Sequence, residues 1–169
     1  MNRVKVAGLD LSMSATGVAT SADSRVAADT YLITPKQSRD LRLPEIASSV
    51  VKLVTDSDLV LIEGYLNRSL SAGITGMVHG AVRAALIEAG LKYGTLPPSS
   101  LKMFATGRGG ASKTDMAVAA YKRGGVEFTN DNECDAWWLW VAANEHLGQP
   151  VIDMPKDHCK ALQKIQMEG

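Results

Sequence analysis

Val4-Lys5-Val6-Ala7-Gly8-Leu9-Asp10-Leu11-Ser12-Met13-Ser14-Ala15-Thr16-Gly17-Val18-Ala19 is the stretch on which the reading of this chain turns. Val4, Val6 and Leu9 lie in a short apolar run, the pattern of a strand buried on both faces. Asp10 closes the run, so a central strand would deliver one carboxylate at its end. Ser12, Ser14, Ala15 and Thr16 are small or hydroxylated, and Gly17-Val18-Ala19 begins a returning strand. A hairpin built this way leaves open space around Asp10. A carboxylate there either caps a turn or holds a cation.

Acidic residues recur at two comparable places. Leu59-Val60-Leu61-Ile62 is a second continuous apolar run and ends in Glu63-Gly64-Tyr65. The carboxyl ends of strands are where open α/β sheets place their sites, although a lone Glu there also serves as a cap or an ion-pair partner. Residues 131–146 are patterned as a helix with Asn130 or Asp131 as its N-cap. Asp131, Asn132, Asp135, Trp138, Leu139 and Ala142 share one of its faces, and Glu133 projects off that face. Trp137, Trp138 and Trp140 cannot all point one way and are expected in the core or an interface.

The rest of the chain supplies the frame. Residues 17–20 and 25–33 read as strands around the turn Ala22-Asp23-Ser24, and 91–96 as a strand stopped by Pro97-Pro98. With the two apolar runs this makes five strands. Helical patterns cover 41–54 and 71–89, and Ser99-Ser100 caps a short helix through Phe104. In the 71–89 helix, Gly73, Gly76 and Gly80 permit close approach either to the sheet or to a second subunit. His79 and Arg83 fall one turn apart, as on a solvated or paired face. Residues 106–114 nearly match the phosphate-cradling pattern GxxxxGK[ST], but Ser112 stands where the second glycine is required. A nucleotide-binding loop is therefore disfavoured, while helix amides and Lys113 remain able to receive a backbone phosphate. The segment 150–169 reads as a polar, partly helical tail. Its Lys156, Lys160 and Lys164, four residues apart, face solvent or DNA.

The chain has 169 residues, 46% hydrophobic and 21% charged, which suits one soluble domain spanning 1–169. Neither a membrane span nor a signal-peptide pattern is visible, so a cytoplasmic protein without membrane association is expected. Cys134 and Cys159 lack zinc-ligand spacing, and reduced thiols are expected. Net charge is zero, yet residues 99–125 carry Lys102, Arg108, Lys113, Lys122 and Arg123 against Asp115 alone. This local excess points to an anionic ligand and argues against a uniformly basic coat.

The order of these motifs resembles the RNase H-like superfamily, and within it the RuvC-type Holliday junction resolvases. Asp10 with Ser14-Ala15-Thr16-Gly17 is similar to that family's first motif, Leu61-Ile62-Glu63 to the second, and Asp135-Ala136 to the third. Lys102 and Lys113 resemble its DNA-contacting lysines. The likeness spans about residues 4–147 and implies an α/β fold with a mixed five-stranded sheet flanked by helices. One position departs: the residue three before the last Asp is acidic or His in the family and is Asn132 here. An amide oxygen can ligate Mg²⁺ but carries no charge and cannot act as a base. Asp131, four residues before Asp135, could reach the same cation instead, with Glu133 the weaker substitute, so the fourth ligand is open between them and Asn132. Tyr65 lies one position from where the family carries an aromatic wedge, and is a candidate for DNA stacking or for core packing.

The resemblance implies a crossover junction endodeoxyribonuclease. Its metal ligands would be Asp10, Glu63, Asn132 and Asp135, with Asp10 bridging two Mg²⁺ ions (Mn²⁺ substituting) about 4 Å apart. Lys113 would neutralise a phosphate at the scissile bond, and Lys102, Arg108 and Tyr65 would contact DNA. A four-way junction has approximate two-fold symmetry, so paired incisions imply a homodimer, with the 71–89 helix as its first-choice interface. A branched-DNA or flap nuclease of the same fold and a non-catalytic junction-binding module are the alternatives. An actin-like ATPase needs about twice this length for its two lobes.

Overall fold

The computed structural model describes residues 3–24, 26–65 and 71–168. The opening stretch forms a hairpin, as its pattern dictates: strand β1 (Val6–Asp10) pairs antiparallel with β2 (Thr16–Ser21), placing Asp10 opposite Gly17. The serines and threonine between them close the turn. Ser12 Oγ donates to the Ala15 carbonyl, and Thr16 Oγ1 donates to the Ser12 carbonyl. β3 (Ala28–Ile33) extends the hairpin antiparallel. Its predicted start at Arg25 lies outside the described residues.

On the other side, β4 (Leu59–Glu63) runs parallel to β1, and β5 (Tyr93–Leu96) runs parallel to β4. A sixth strand, β6 (Gln166–Glu168), pairs antiparallel with β5 and completes the order β3-β2-β1-β4-β5-β6. The sheet therefore has six strands rather than the expected five. Three residues, Gln166-Met167-Glu168, are too few to carry a period that identifies a strand; the open edge of β5 recruits them by backbone pairing.

Helices cover both faces. α1 (Arg42–Val54) and α2 (Ala72–Glu88) bury Ile46, Val50, Val54, Val78, Val82 and Leu86 against Leu9, Val18, Val60 and Ile62. The opposite face carries α3 (Pro98–Thr106), α4 (Lys113–Gly124) and α5 (Asp131–His146) over Val6, Ala19, Leu61 and Leu96. α3 starts at Pro98, with Pro97 as N-cap and no side-chain cap, so the expected Ser99-Ser100 cap is replaced by the fixed φ of proline at the first helical position. The tail folds back through the single turn α6 (Lys156–Cys159) and a 3₁₀ turn, burying Leu162. His158 Nδ1 lies 2.9 Å from the Phe104 carbonyl and pins this segment to α3. The tail is thus structured, not merely polar.

α5 is enclosed on every side. Trp137, Trp138 and Trp140 are all buried, together with Ala136, Leu139, Val141, Ala142 and Ala143. Trp138 Nε1 donates to the Met116 carbonyl, and Trp140 Nε1 donates to Ser21 Oγ, so neither indole is left unsatisfied. The helix can press on the sheet because two strand residues lack a side chain. A Cβ on Gly8 would lie 2.2 Å from the Ala136 carbonyl oxygen, and one on Gly17 would lie 2.0 Å from that of Asn132. Among the described residues, no helix is long and apolar enough to cross a membrane.

Candidate metal centre

Side chains alternate across a strand, and that rule aims the first two carboxylates. Val6 and Gly8 face α5, so Asp10 faces it too; Leu61 faces α5, so Glu63 does the same. The parallel pairing of β1 with β4 sets their carboxyl ends side by side. α5, seated on Gly8 and Gly17, supplies Asp135 from its second turn. One carboxylate oxygen from each of Asp10, Glu63 and Asp135 lies within 4.8 Å of the others. The three residues are only partly exposed.

Three carboxylates this close cannot all ionise cheaply. Burial, then Asp135, pushes Asp10 up to about 7, with Asp131 adding to the rise and Lys113 opposing it. Burial, then Asp131, raises Asp135 to about 6, with Lys102 and Lys113 opposing. Glu63 is also raised, by burial and then by Asp10 and Asp135. The donor set is oxygen alone, which suits a hard divalent cation and not zinc. A bound cation would offset both the burial cost and the mutual repulsion that raise these groups.

The lysines stand around this cluster. Lys102 on α3 draws on Glu63 and Asp135, while Lys113, the first residue of α4, draws on Asp10 and Asp135. Lys113 Nζ sits 2.7 Å from Asp131 Oδ2, and this bond raises its pKa first. The near-match to a phosphate loop has a different cause. Ser112 is the N-cap of α4 and forms a reciprocal capping box with Asp115, which a glycine could not. Arg108, predicted to face DNA, lies 3.0 Å from Asp115 across the same cap and keeps most of its side chain exposed.

The region of the departed motif is equally explicit. Asn130 is the N-cap of α5, accepting from the backbone N–H groups of Asn132 and Glu133. Asp131 is engaged with Lys113, and neither it nor Glu133 joins the three-carboxylate cluster. Asn132 is half-buried, with its backbone against Gly17, one turn before Asp135. Tyr65 is 37% exposed and packs its ring on His79 at 4.7 Å, so it is neither core nor fully free. Residues 66–70, beyond it, lie outside the described residues. Sequence reasoning named Gly17 within the first motif but missed that it and Gly8 seat α5; glycine inside a strand pattern was the signal for that.

No protein-family model matches the sequence, and no curated protein matches it. Solved structures do. The chain is similar to a Thermus thermophilus RuvC structure at 21% identity and a TM-score of 0.67, with 90% of this chain and 100% of that one covered. It is similar also to T. thermophilus RuvC in complex with a Holliday junction substrate, at the same identity and coverage and a TM-score of 0.69. A six-stranded mixed sheet flanked by helices, with its acidic residues gathered where β1, β4 and α5 meet, therefore has the RNase H-like fold of RuvC.

Proposed function

We propose that this chain is a metal-dependent endodeoxyribonuclease that resolves four-way DNA junctions by paired, symmetric incisions, as one domain over 1–169 acting as a homodimer. The observation that carries the reading is the convergence of Asp10, Glu63 and Asp135 from three separate elements onto one point. The likeness to RuvC held on a Holliday junction supports the choice of substrate.

Asp10, Glu63 and Asp135 would hold the cations, with Asn132 offering a neutral amide oxygen. Two Mg²⁺ ions, with Mn²⁺ able to replace them, would supply a water of lowered pKa and charge stabilisation on the leaving 3′-oxygen. The chain's own part is positional and electrostatic. Burial keeps the carboxylates in a site of low polarity, where each charge interaction is stronger than in water. Lys113, exposed and held only by a surface ion pair with Asp131, is free at little cost to take a phosphate oxygen instead. Lys102, whose charge acts on Glu63 and Asp135, would align the strand. Arg108 and Tyr65 would meet DNA further out.

The dimer would form through α2. Val78, Val82 and Leu86 face the sheet, which leaves Ile74, Met77 and Ile87 exposed on the outer face. Gly73 and Gly80 have open space where a Cβ would project, so a second copy could approach closely there. Two such sites related by a two-fold axis suit the symmetry of a junction.

The test is cleavage of an immobile four-way junction beside flap and linear duplexes, with and without Mg²⁺ or Mn²⁺. Metal-dependent paired nicks confined to the junction are expected. Equal cutting of flaps would make it a branched-DNA nuclease of the same fold. Tight junction binding without cutting would make it a binding module, the reading that Asn132 favours, and Asn132→Asp would then be the variant to assay.

A further inference from the structure

Of the solvated or paired face that their spacing allows, His79 and Arg83 of α2 form the paired one. His79 is buried, and burial, then the nearby guanidinium, lowers its pKa to about 4, so its imidazole is neutral. Arg83 is only partly exposed. Its single hydrogen-bond partner is His79 Nδ1, at 3.4 Å, and its Nε is buried without a partner among the described residues. Its guanidinium carbon stands 6.0 Å from the centre of the Tyr93 ring. No carboxylate among the described residues lies within ion-pair distance of it. Among the described residues this half-buried cation is matched by a neutral imidazole and a ring face alone, an arrangement that is costly to keep and that an anion would relieve.

That cation lines a cleft of about 320 Å³ formed by Gly64, Tyr65, Thr95, Pro97, Pro98 and the tail residues Gln166 and Glu168. The cleft's position is set by the fold. Gly64 directly follows Glu63, and its N–H donates to the Leu96 carbonyl at 2.8 Å, so the cleft opens at the same carboxyl edge of β4 and β5 as the acidic cluster. The cluster faces α5, whereas Tyr93 and Arg83 belong to the α2 side. Tyr65, its ring tilted against that of His79, stands at the mouth with over a third of its surface open.

Resting on the nuclease reading above, we propose that Arg83 receives a phosphate of the cut strand a short distance from the scissile bond, with Tyr65 against the adjoining sugar or base. The guanidinium offers a fork of donors that matches a phosphodiester, and its buried Nε loses nothing further on binding. Arg83 is thus a phosphate-binding residue that orients the strand from the opposite side of the sheet edge to Lys102 and Lys113. The glutamate of the cleft, Glu168, would limit affinity for free anions and favour a ligand anchored elsewhere.

The experiment compares wild type, R83Q and R83K on a four-way junction in Ca²⁺, by fluorescence anisotropy across a series of NaCl concentrations, with thermal melting to confirm that each folds. R83Q should weaken binding about tenfold and reduce the slope of log affinity against log salt by about 0.9, the value of one lost phosphate contact, while R83K keeps the slope. Junctions with single methylphosphonates near the scissile site then locate the contact. One position should weaken wild type and leave R83Q no weaker than before. An unchanged salt slope in R83Q, or equal losses for both proteins at every methylphosphonate, overturns the Arg83 assignment and leaves the nuclease reading intact. Wild type that neither binds nor cuts the junction removes both.

Discussion

α5 and α2 are the two long helices packed on opposite faces of the sheet, and they are held in different ways. α5 is surrounded: its three tryptophans are buried, its N-cap is made by Asn130, and its backbone lies directly on Gly8 and Gly17. α2 is held along one stripe only, and Ile87 on its outer face is 64% exposed. The helix that carries a carboxylate of the cluster is thus fixed by one chain alone. The helix that carries an open apolar face has its position set but its environment incomplete. Precision belongs to the first, and the second is the face assigned to the proposed dimer.

That contrast can be broken at several points. The largest effect is expected at the cluster itself. Asp10→Asn should lower metal-dependent junction cleavage by about 1,000-fold or more while leaving junction binding within about threefold, measured by gel assay and anisotropy. Cleavage near wild-type rate would remove Asp10 from the site. Next, Gly8→Ala drives a Cβ against the Ala136 carbonyl oxygen, a backbone atom that cannot swing aside. A loss of about 3 kcal/mol or more in urea unfolding is expected, with cleavage falling beyond what stability explains as Asp135 shifts. Normal stability would show that α5 has room to slide.

A third prediction concerns pH. Asp10 is raised in the folded chain above its ordinary carboxylate value, so ionising it disfavours the fold. Its contribution to stability is full in acid and is lost as pH rises through about 7. Without divalent metal, Asp10→Asn should therefore stabilise the protein by about 2 kcal/mol at pH 8, a gain that shrinks as the pH is lowered towards 5. Mg²⁺ should stabilise wild type at pH 8 much more than the variant. A variant less stable than wild type at pH 8 would show that the cluster is not strained. The smallest effect lies on α2. Gly80→Ala meets open space and should raise helix stability by about 0.5–1 kcal/mol, while weakening self-association seen by light scattering or sedimentation. Unchanged association would move the interface off the glycine face.

Much of the site was legible because it rests on short-range rules. Strand runs ending in Asp10 and Glu63, and a helix bearing Asp135, are period-two and period-3.6 patterns that need no tertiary knowledge. What pattern could not give was closeness. The cluster exists because Gly8 and Gly17 let α5 touch the sheet, and a glycine in a strand signals only that something approaches. The role of Asp131 was likewise hidden. As a neighbour of Asn132 it was a candidate ligand, but a position one residue away on a helix turns by about 100°, and its side chain meets Lys113 instead. His79 and Arg83 were left open between a solvated and a paired face because helical spacing cannot show that the Tyr65 ring packs on His79. β6 escaped because edge pairing is made by backbone, whose donors and acceptors almost every tripeptide possesses.

β6 also decides how the sheet meets other molecules. Gln166–Glu168 occupy the hydrogen-bonding margin of β5, and Met167 Sδ fills the space above Gly94 that a Cβ would take. A parallel inner strand would otherwise stand naked beside the edge that carries the acidic cluster, offering its amides to any extended peptide, including a second copy of itself. The short strand works as a selvedge, the woven border that stops a cloth from fraying. Trimming the chain before Ile165 would therefore endanger solubility before it endangered chemistry, and an affinity handle is better attached at the other end.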